Sequence, residues 1–271
     1  MSSGRLPVAA MAISLLGPWT AHAGASTADD RIALSADGAT LTGTSGGGGG
    51  SVGWLHNFNA DALAGVSAEH QVLGVARWTF GSVNGSITRG PDGQRYTLYG
   101  EAHEGSGYDG ARNFHYAIEA AGVVGTFFHR LSVQLEDKQI AVEATHGNLP
   151  KINVAYLWNP HLQTQASYSY SVSGNLGTHL AGFRVDNYNA AVDLLAGVAF
   201  GQAAPAIILN FQSGFVPARQ LHEVYAGISK PFPRLRSDLT LVADYQNLSG
   251  FKHATLTVNY IFHVGHASTA R

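Results

Sequence analysis

The side chains that could catalyse a reaction lie in two short segments that each contain a glycine. His146-Gly147-Asn148 and Ser173-Gly174-Asn175 supply an imidazole, a hydroxyl and two carboxamides, the groups with which a hydrolase activates a serine. Gly and Asn also tolerate positive φ, so both segments fit tight turns equally well. No G-x-S-x-G motif is present, and the carboxylates show no helical pairing typical of a glycosidase. We therefore predict that the protein is not an enzyme, with a hydrolase as the alternative.

Metal and cofactor sites are not indicated by the sequence. The 13 histidines are scattered singly along the chain and show neither H-x-x-x-H nor H-E-x-x-H spacing. Because the chain has 0 cysteines, disulfides and thiolate metal sites are excluded. The glycine run at residues 46–50 is not followed by the lysine of a phosphate-binding loop, so it predicts a flexible connection or a close-packed bend. We predict no metal and no cofactor.

Composition and periodicity indicate how these residues are held. The 271 residues are 45% hydrophobic and only 13% charged, against about 25% charged in a typical soluble domain. Beyond the N-terminal segment no run of about 18 apolar residues could form a membrane-spanning helix. The apolar residues instead alternate with polar ones in short segments, as in Ala254 to Phe262, where Thr255, Thr257 and Asn259 fill the gaps. This period of two is typical of strands with one apolar face.

A soluble sandwich produces the same alternation, so the type of apolar residue decides between the two folds. In His161 to Ser173, glutamines and serines occupy one face while Tyr168 and Tyr170 lie on the other. A sandwich core rarely buries such a row of tyrosines, because buried hydroxyls need hydrogen-bond partners. At the headgroup level of a membrane, tyrosines have water within reach. The pattern favours a transmembrane barrel.

We therefore predict an all-β chain that forms a single antiparallel up-and-down transmembrane β-barrel. The segments support about 12 strands, with 14 as the alternative, since bacterial barrels have even strand numbers. Residues 1–23 have the basic, apolar and small-residue regions of a signal peptide. Residues 24–38 are assigned to a periplasmic lead-in, 39–263 to the barrel and 264–271 to a C-terminal tail. Turns are predicted at Asp137-Lys138 and at Gly147 to Pro150.

The polar faces of the segments predict a lumen, because lipid requires the outer face of a closed barrel to be apolar. Charges of mixed sign across a lumen tune its selectivity, whereas charges that pair with one another fill it; both outcomes remain open. In two segments the assignment places Trp78 and Phe80 outside with Arg77 inside, and Phe114 and Tyr116 outside with Glu119 inside. The predicted lumen-lining residues are Arg77, Arg95, Glu101, Glu119, Arg130, Gln134, Glu136, Gln163, Gln165, Arg184, Asp186, Asp193, Asp238 and Asp244. The predicted aromatic girdle comprises Trp54, Trp78, Tyr96, Tyr156, Trp158, Tyr168, Tyr170, Tyr260 and Phe262.

Two segments resemble known bacterial barrels. The alternating C-terminal strand with its closing Phe262 resembles the insertion signal of outer-membrane barrels, although the tail His263 to Arg271 follows the aromatic residue that is usually last. Gly147-Asn148-Leu149-Pro150 through Ser171-Val172-Ser173-Gly174-Asn175, and Ser229-Lys230-Pro231-Phe232 with Leu239 to Tyr245, resemble the YaiO-like barrel family. This resemblance covers roughly the second half of the chain. It implies an association with surface polymers or transport and transfers no catalytic residue.

The sequence thus predicts an integral protein of the outer membrane of a Gram-negative bacterium. We expect a channel or export pore for a hydrophilic solute or surface polysaccharide. The alternatives are a filled structural or adhesive barrel that acts through its loops and, less favoured, a lipid-modifying enzyme. Expected partners are outer-membrane lipid, the barrel-insertion machinery and proteins of polysaccharide synthesis or export. The formal net charge of −2 argues against nucleic-acid binding.

Overall fold

The structure, a computed structural model, describes ten segments of the chain. They comprise residues 29–42, 46–59, 61–91, 93–108, 110–111, 113–142, 145–189, 191–203, 218–248 and 251–264. The predicted signal peptide, the first residues of the predicted lead-in and the tail after Val264 lie outside the described residues.

Fourteen strands in the described residues form one antiparallel sheet that closes on itself, because β1 pairs with both β2 and β14. A 3-10 turn, Pro233–Leu235, joins β12 to β13. No helix in the described segments is long and apolar enough to cross a membrane. The strands are β1 (Asp29–Leu41), β2 (Gly47–Asn59), β3 (Ala62–Leu73), β4 (Ala76–Arg89), β5 (Gln94–Tyr108), β6 (Asn113–Phe127), β7 (Leu131–Val142), β8 (Thr145–Asn159), β9 (Leu162–Tyr170), β10 (His179–Asn187), β11 (Asp193–Ala203), β12 (Arg219–Phe232), β13 (Ser237–Leu248) and β14 (Phe251–Val264).

The predicted count of twelve is wrong, and the alternative of fourteen is correct. Strand β1 contains residues 29–38, which the sequence assigned to the lead-in. Its outward face is interrupted by Ala36 and Gly38, so its apolar signal is weak. The predicted turns are also wrong. Asp137 and Lys138 lie inside β7, and Gly147 to Pro150 lie inside β8, where both segments pair with each other.

The two ends of the barrel differ in the length of their connections. Both β1 and β14 place their chain ends at one end, here named the terminal end; the other is the loop end. Short turns at the membrane's inner side and longer loops outside are the rule for outer-membrane barrels, so the terminal end faces the periplasm. The six connections at the terminal end each span two to five residues of sequence, whereas the two longest connections in the sequence, residues 171–178 and 204–218, both join strands at the loop end.

An apolar belt covers the outside of the barrel over the middle of its strands and towards the terminal end. Its side chains alternate with inward polar residues and remain exposed in the isolated chain, as expected where lipid replaces water. Members from around the circumference include Ile32, Leu34, Val52, Val66, Val83, Leu98, Leu135, Ile152, Val198, Val224, Leu241 and Leu256.

Near the loop end, strands β1 to β8 reverse this arrangement. Apolar side chains there point inward and are buried, while polar residues such as Arg77, His115 and His146 occupy the outward positions. This is the pattern of β-structure in water, so we place this part of the barrel beyond the apolar layer of the membrane. The inward group, here named the apolar cluster, comprises Leu41, Leu73, Trp78, Phe80, Phe114, Tyr116, Ile140, Val142, Leu149 and Leu176.

Candidate channel lumen

Most of the predicted lumen residues face the interior of the barrel. Each alternates with an exposed apolar residue of the belt or pairs in register with an inward neighbour, as Arg184 does with Gln165. The structure places these residues inside: Glu101, Gln134, Glu136, Gln163, Gln165, Arg184, Asp186 and Asp244.

Three other predicted residues have the expected orientation but lie at the rim of the terminal end. Arg95 forms an ion pair with Asp61 of the turn before β3. Asp238 accepts a hydrogen bond from His263 at 2.8 Å, and Asp193 accepts one from a backbone N–H of the turn before β11 at 3.0 Å. These contacts fasten the turns of the terminal end.

The lumen assignment is wrong for three residues. Arg130 lies exposed in the turn at residues 128–130, and Arg77 and Glu119 point outward and are exposed. Arg77 and Glu119 were misplaced because polarity reverses towards the loop end of β4 and β6. There the inward face is apolar and the outward face is polar. For the same reason Trp78 lies in the apolar cluster with 6% exposure and belongs to no girdle.

The remaining girdle residues lie on the outer face. Near the terminal end, Tyr156 and Trp158 pack edge to face with centroids 4.8 Å apart. Tyr168 and Tyr170 lie further towards the loop end, at the opposite border of the belt. The outward aromatic residues at the terminal end are Trp54, Tyr96, Tyr156, Trp158, Tyr260 and Phe262.

Inside the barrel, hydrogen-bonded polar side chains from β5 and β7 to β10 form a continuous group, here named the polar wall. It begins at Tyr99, whose hydroxyl donates to Glu136 Oε2 and accepts from Gln134 Nε2, both at 2.6 Å. The side chain reaches β7 by crossing Gly122 of the intervening strand β6. A Cβ at Gly122 would lie 2.5 Å from Tyr99 Cζ, so the glycine provides the space for this contact.

Two lysines add positive charge to the polar wall. Lys138 Nζ lies 3.7 Å from Glu101 Oε1 and 3.9 Å from Glu136 Oε1. Lys151, on the neighbouring strand β8, interacts electrostatically with the same two carboxylates.

The polar wall continues through amides to a buried ion pair. Asn153 Nδ2 donates to Gln134 and Gln165, each at 3.4 Å, and Gln165 Nε2 donates to Asp186 Oδ2 at 3.0 Å. Arg184 donates from Nε at 2.8 Å and from a terminal nitrogen at 2.5 Å to Asp186 Oδ1. A carboxylate that accepts several charge-assisted hydrogen bonds holds its partners in fixed positions.

Four inward carboxylates, Asp37, Glu69, Glu223 and Asp244, form a second group, here named the carboxylate arc. They lie on β1, β3, β12 and β13, across the ring of strands from Lys138 and Lys151 on β7 and β8. The lumen therefore has one wall of mixed charge, where Lys138 and Lys151 lie beside Glu101 and Glu136, and an opposite wall with a concentration of carboxylates.

A glutamine amide joins each pair of carboxylates in the arc. Gln71 Nε2 donates to Asp37 at 2.7 Å and to Glu69 at 3.0 Å, and its side chain crosses Gly49 of β2 to do so. Gln246 Nε2 donates to Asp244 at 3.0 Å, and Asp244 interacts electrostatically with Glu223.

Sequence reasoning missed much of this lining. Lys138 was assigned to a turn, although the alternation Gln134, Glu136, Lys138 continues through it and could have placed it inside. Tyr99 carried no comparable signal, because an inward tyrosine is identified only by its partners on another strand. The arc residues Asp37 and Glu69 lie in segments that were read as a lead-in and as a poor strand.

The two candidate catalytic segments meet, but as a structural contact. The hydroxyl of Ser173 donates to Asn148 Oδ1 at 3.1 Å, whereas an activated serine would donate to an imidazole nitrogen. Asn175 Oδ1 accepts from the backbone N–H of His146 at 2.8 Å, which fastens the 171–178 connection to β8. Within the described segments, no group of three or more His, Asp or Glu residues is placed to hold a metal ion.

The closed fourteen-stranded sheet, its apolar belt and its aromatic borders define a β-barrel of the Gram-negative outer membrane. No family model and no curated protein matches the chain. Solved structures do match. The CymD monoaromatic hydrocarbon channel has a TM-score of 0.60 at 9% identity, covering 98% of this chain and 95% of that one.

Two further structures have the same fold. The Pseudomonas putida toluene transporter TodX has a TM-score of 0.54 at 9% identity, covering 87% of this chain and 88% of that one. Omp33 of Acinetobacter baumannii has a TM-score of 0.51 at 9% identity, covering 87% of this chain and 99% of that one. These likenesses concern the fold. Of these three structures, the two described by activity are a channel and a transporter.

Proposed function

We propose that this barrel is a passive channel for small hydrophilic solutes across the outer membrane. The observation that carries the proposal is the arrangement of charge in the lumen, where a wall of mixed charge that holds Lys138 and Lys151 faces the carboxylate arc. Rings and rows of opposed charge orient polar solutes and set ion selectivity in pores. Fourteen strands enclose more space than the eight of a filled barrel and less than the sixteen to eighteen of the large porins.

Export of a surface polysaccharide is the narrower form of this proposal. The resemblance to YaiO-like barrels suggests it, and the inward row Gln163, Gln165, Ser167 and Ser169 offers amides and hydroxyls suited to sugar hydroxyls. The apolar cluster at the loop end works against it, because a polymer leaving the barrel would pass a wall of mostly apolar side chains.

The same cluster supports a second candidate, a channel for small aromatic molecules. CymD and TodX are described as a monoaromatic hydrocarbon channel and a toluene transporter. An apolar surface at the outer mouth would bind such molecules before they reach the polar wall.

Planar-bilayer recording of the refolded barrel tests the channel proposal. We expect stepwise conductance, with more cation preference when Lys138 and Lys151 are replaced by methionine and less when Glu223→Gln and Asp244→Asn are combined. Glu119→Gln is the matched control, because this carboxylate is exposed on the outer face and should leave selectivity unchanged.

Absence of conductance from protein with the heat-modifiable gel mobility of a folded barrel would refute the channel and favour a filled barrel acting through its loops. Liposome-swelling rates separate the solute classes. Faster swelling with mono- and disaccharides supports the hydrophilic channel. Swelling restricted to small aromatic solutes supports the second candidate.

A further inference from the structure

The apolar cluster contains two hydrogen-bonding groups without protein partners. Trp78 Nε1 and the Tyr116 hydroxyl are both inaccessible and make no hydrogen bond, and their side chains are 6% and 1% exposed. Buried polar atoms are nearly always paired, because leaving one unpaired costs a large part of its hydration free energy. Two such groups in one cluster therefore require an explanation.

The register of strands β4, β5 and β6 places the two groups on either side of two glycines. Trp78 and Phe114 flank Gly107 in one row, and Phe80 and Tyr116 flank Gly105 in the next. Phe80 and Tyr116 pack edge to face with centroids 5.7 Å apart. The result is an aromatic wall at the loop end whose middle strand contributes only backbone.

Close packing explains the glycines. A Cβ at Gly107 would lie 2.6 Å from Phe114 Cε1, and one at Gly105 would lie 2.5 Å from Phe80 Cβ. The Phe114 ring therefore leans over Gly107, while the backbone and Cβ of Phe80 approach Gly105 closely, so a larger residue at either position would displace its neighbour. This arrangement keeps the ring faces and the two unpaired groups within one patch.

The chemistry of the patch defines its ligand. Aromatic faces favour a planar apolar molecule, and such pairs contribute beyond simple burial. An indole N–H can only donate a hydrogen bond. A tyrosine hydroxyl can donate as well as accept, so both groups can donate to the same kind of ligand atom. The complementary ligand is a small aromatic molecule that carries a hydrogen-bond acceptor such as a carbonyl oxygen.

We propose that the apolar cluster is a binding site for small aromatic carbonyl compounds, which enter by separating the packed rings and then accept hydrogen bonds from Trp78 Nε1 and the Tyr116 hydroxyl. The site lies at the outer mouth, so it deepens the proposed channel function by naming a solute class that would be concentrated there. Binding itself needs no transport and is measured separately.

Fluorine NMR titration of the detergent-folded barrel with 4-fluoroacetophenone tests the site. 4-Fluoroethylbenzene is the matched probe, since it has nearly the same shape and no acceptor. Empty micelles give the partitioning background. We expect the ketone to bind more tightly, and Trp78→Phe and Tyr116→Phe each to weaken the ketone about fivefold while leaving the hydrocarbon unchanged.

Trp54→Phe is the control variant, because this indole lies on the outer face and donates to Asp30 at 3.1 Å. Equal affinity for the two probes, or unaltered ketone binding in both Trp78→Phe and Tyr116→Phe, would overturn the proposal. Should those variants fail to fold, benzophenone serves as both ligand and photolabel on the unmodified protein. Labelling at Trp78, Phe80, Phe114 or Tyr116 supports the site, and labelling confined to the outward residues of the belt refutes it.

The two proposals fail in different ways. Conductance without preferential ketone binding would refute the proposed binding site and support the proposed channel. Preferential ketone binding to a folded barrel that does not conduct would refute the proposed channel and support the proposed binding site.

Discussion

Replacing Gly122 with alanine should destabilise the barrel by displacing Tyr99. The new Cβ would lie 2.5 Å from Tyr99 Cζ, well inside contact distance, so the ring must move and its hydroxyl leaves Glu136 and Gln134. A hydrogen bond to a charged group contributes about 1.5–3 kcal/mol and a neutral one about 0.5–1.5 kcal/mol. Alanine recovers about 0.5–1 kcal/mol of strand preference over glycine. The expected net loss is therefore roughly 1–4 kcal/mol of unfolding free energy.

Urea unfolding from detergent micelles, followed by tryptophan fluorescence, measures this loss. Gly100→Ala is the matched control, because a Cβ there meets only Ala120 O at 3.6 Å, an ordinary contact. Tyr99→Phe should lose the same two hydrogen bonds, and the double variant should lose less than the sum of the singles. If Gly122→Ala is as stable as Gly100→Ala, the role assigned to the Tyr99 hydroxyl is wrong.

Three further predictions concern faces and charges. A variant that keeps Trp158 but lacks Trp19, Trp54 and Trp78 should have its fluorescence quenched strongly by brominated lipid, because Trp158 is outward. A variant that keeps only Trp78 should not, because Trp78 is buried in the lumen. Equal quenching of the two variants would contradict the reversed alternation. Glu223→Gln alone should lower the permeability ratio of potassium to chloride in bilayer reversal-potential measurements, by less than the pair with Asp244→Asn; an increase would show that the arc does not face the solute path. Ser173→Ala should leave phospholipid turnover in vesicles at background, as in the parent protein, and hydrolysis that this substitution abolishes would reinstate the enzyme alternative.

The alternation of residues was sufficient to predict the closed barrel and the faces of its best-defined strands. In β9 the row Gln163, Gln165, Ser167 lies inside and Tyr168 and Tyr170 lie outside, as predicted, because that strand runs mainly through the apolar layer. Along most of β9, contact with lipid therefore requires the outward face to be apolar and leaves the polar residues inside.

Strands β4 and β6 show where this reasoning stopped being valid. They extend past the apolar layer, where water imposes the opposite rule, so Trp78 and Phe114 turn inward and Arg77 turns outward. A period of two identifies the two faces of a strand but not which one faces lipid. That choice depends on the height of each residue in the membrane, which only the closed structure provides.

The contacts that make the candidate lumen were beyond sequence reasoning for a different reason. Tyr99 and Gln71 each reach across an intervening strand, over Gly122 and Gly49, to partners on the next strand but one. Such contacts depend on the stagger of three strands at once. The glycine run at residues 46–50 looked like a loop, because nothing in it indicates that a side chain from β3 lies across it.

The pairing of the first strand with the last has a kinetic consequence. Twelve residue pairs join β1 to β14, and Thr42 meets Lys252 across a separation of 210 residues. Contacts so distant in sequence form slowly, and no earlier strand can give β1 its second neighbour. Until Phe251–Val264 pairs with it, one edge of β1 stays without its ladder partner, and exposed edges recruit other chains. Shortening the chain by this final strand should therefore produce aggregation instead of a smaller barrel.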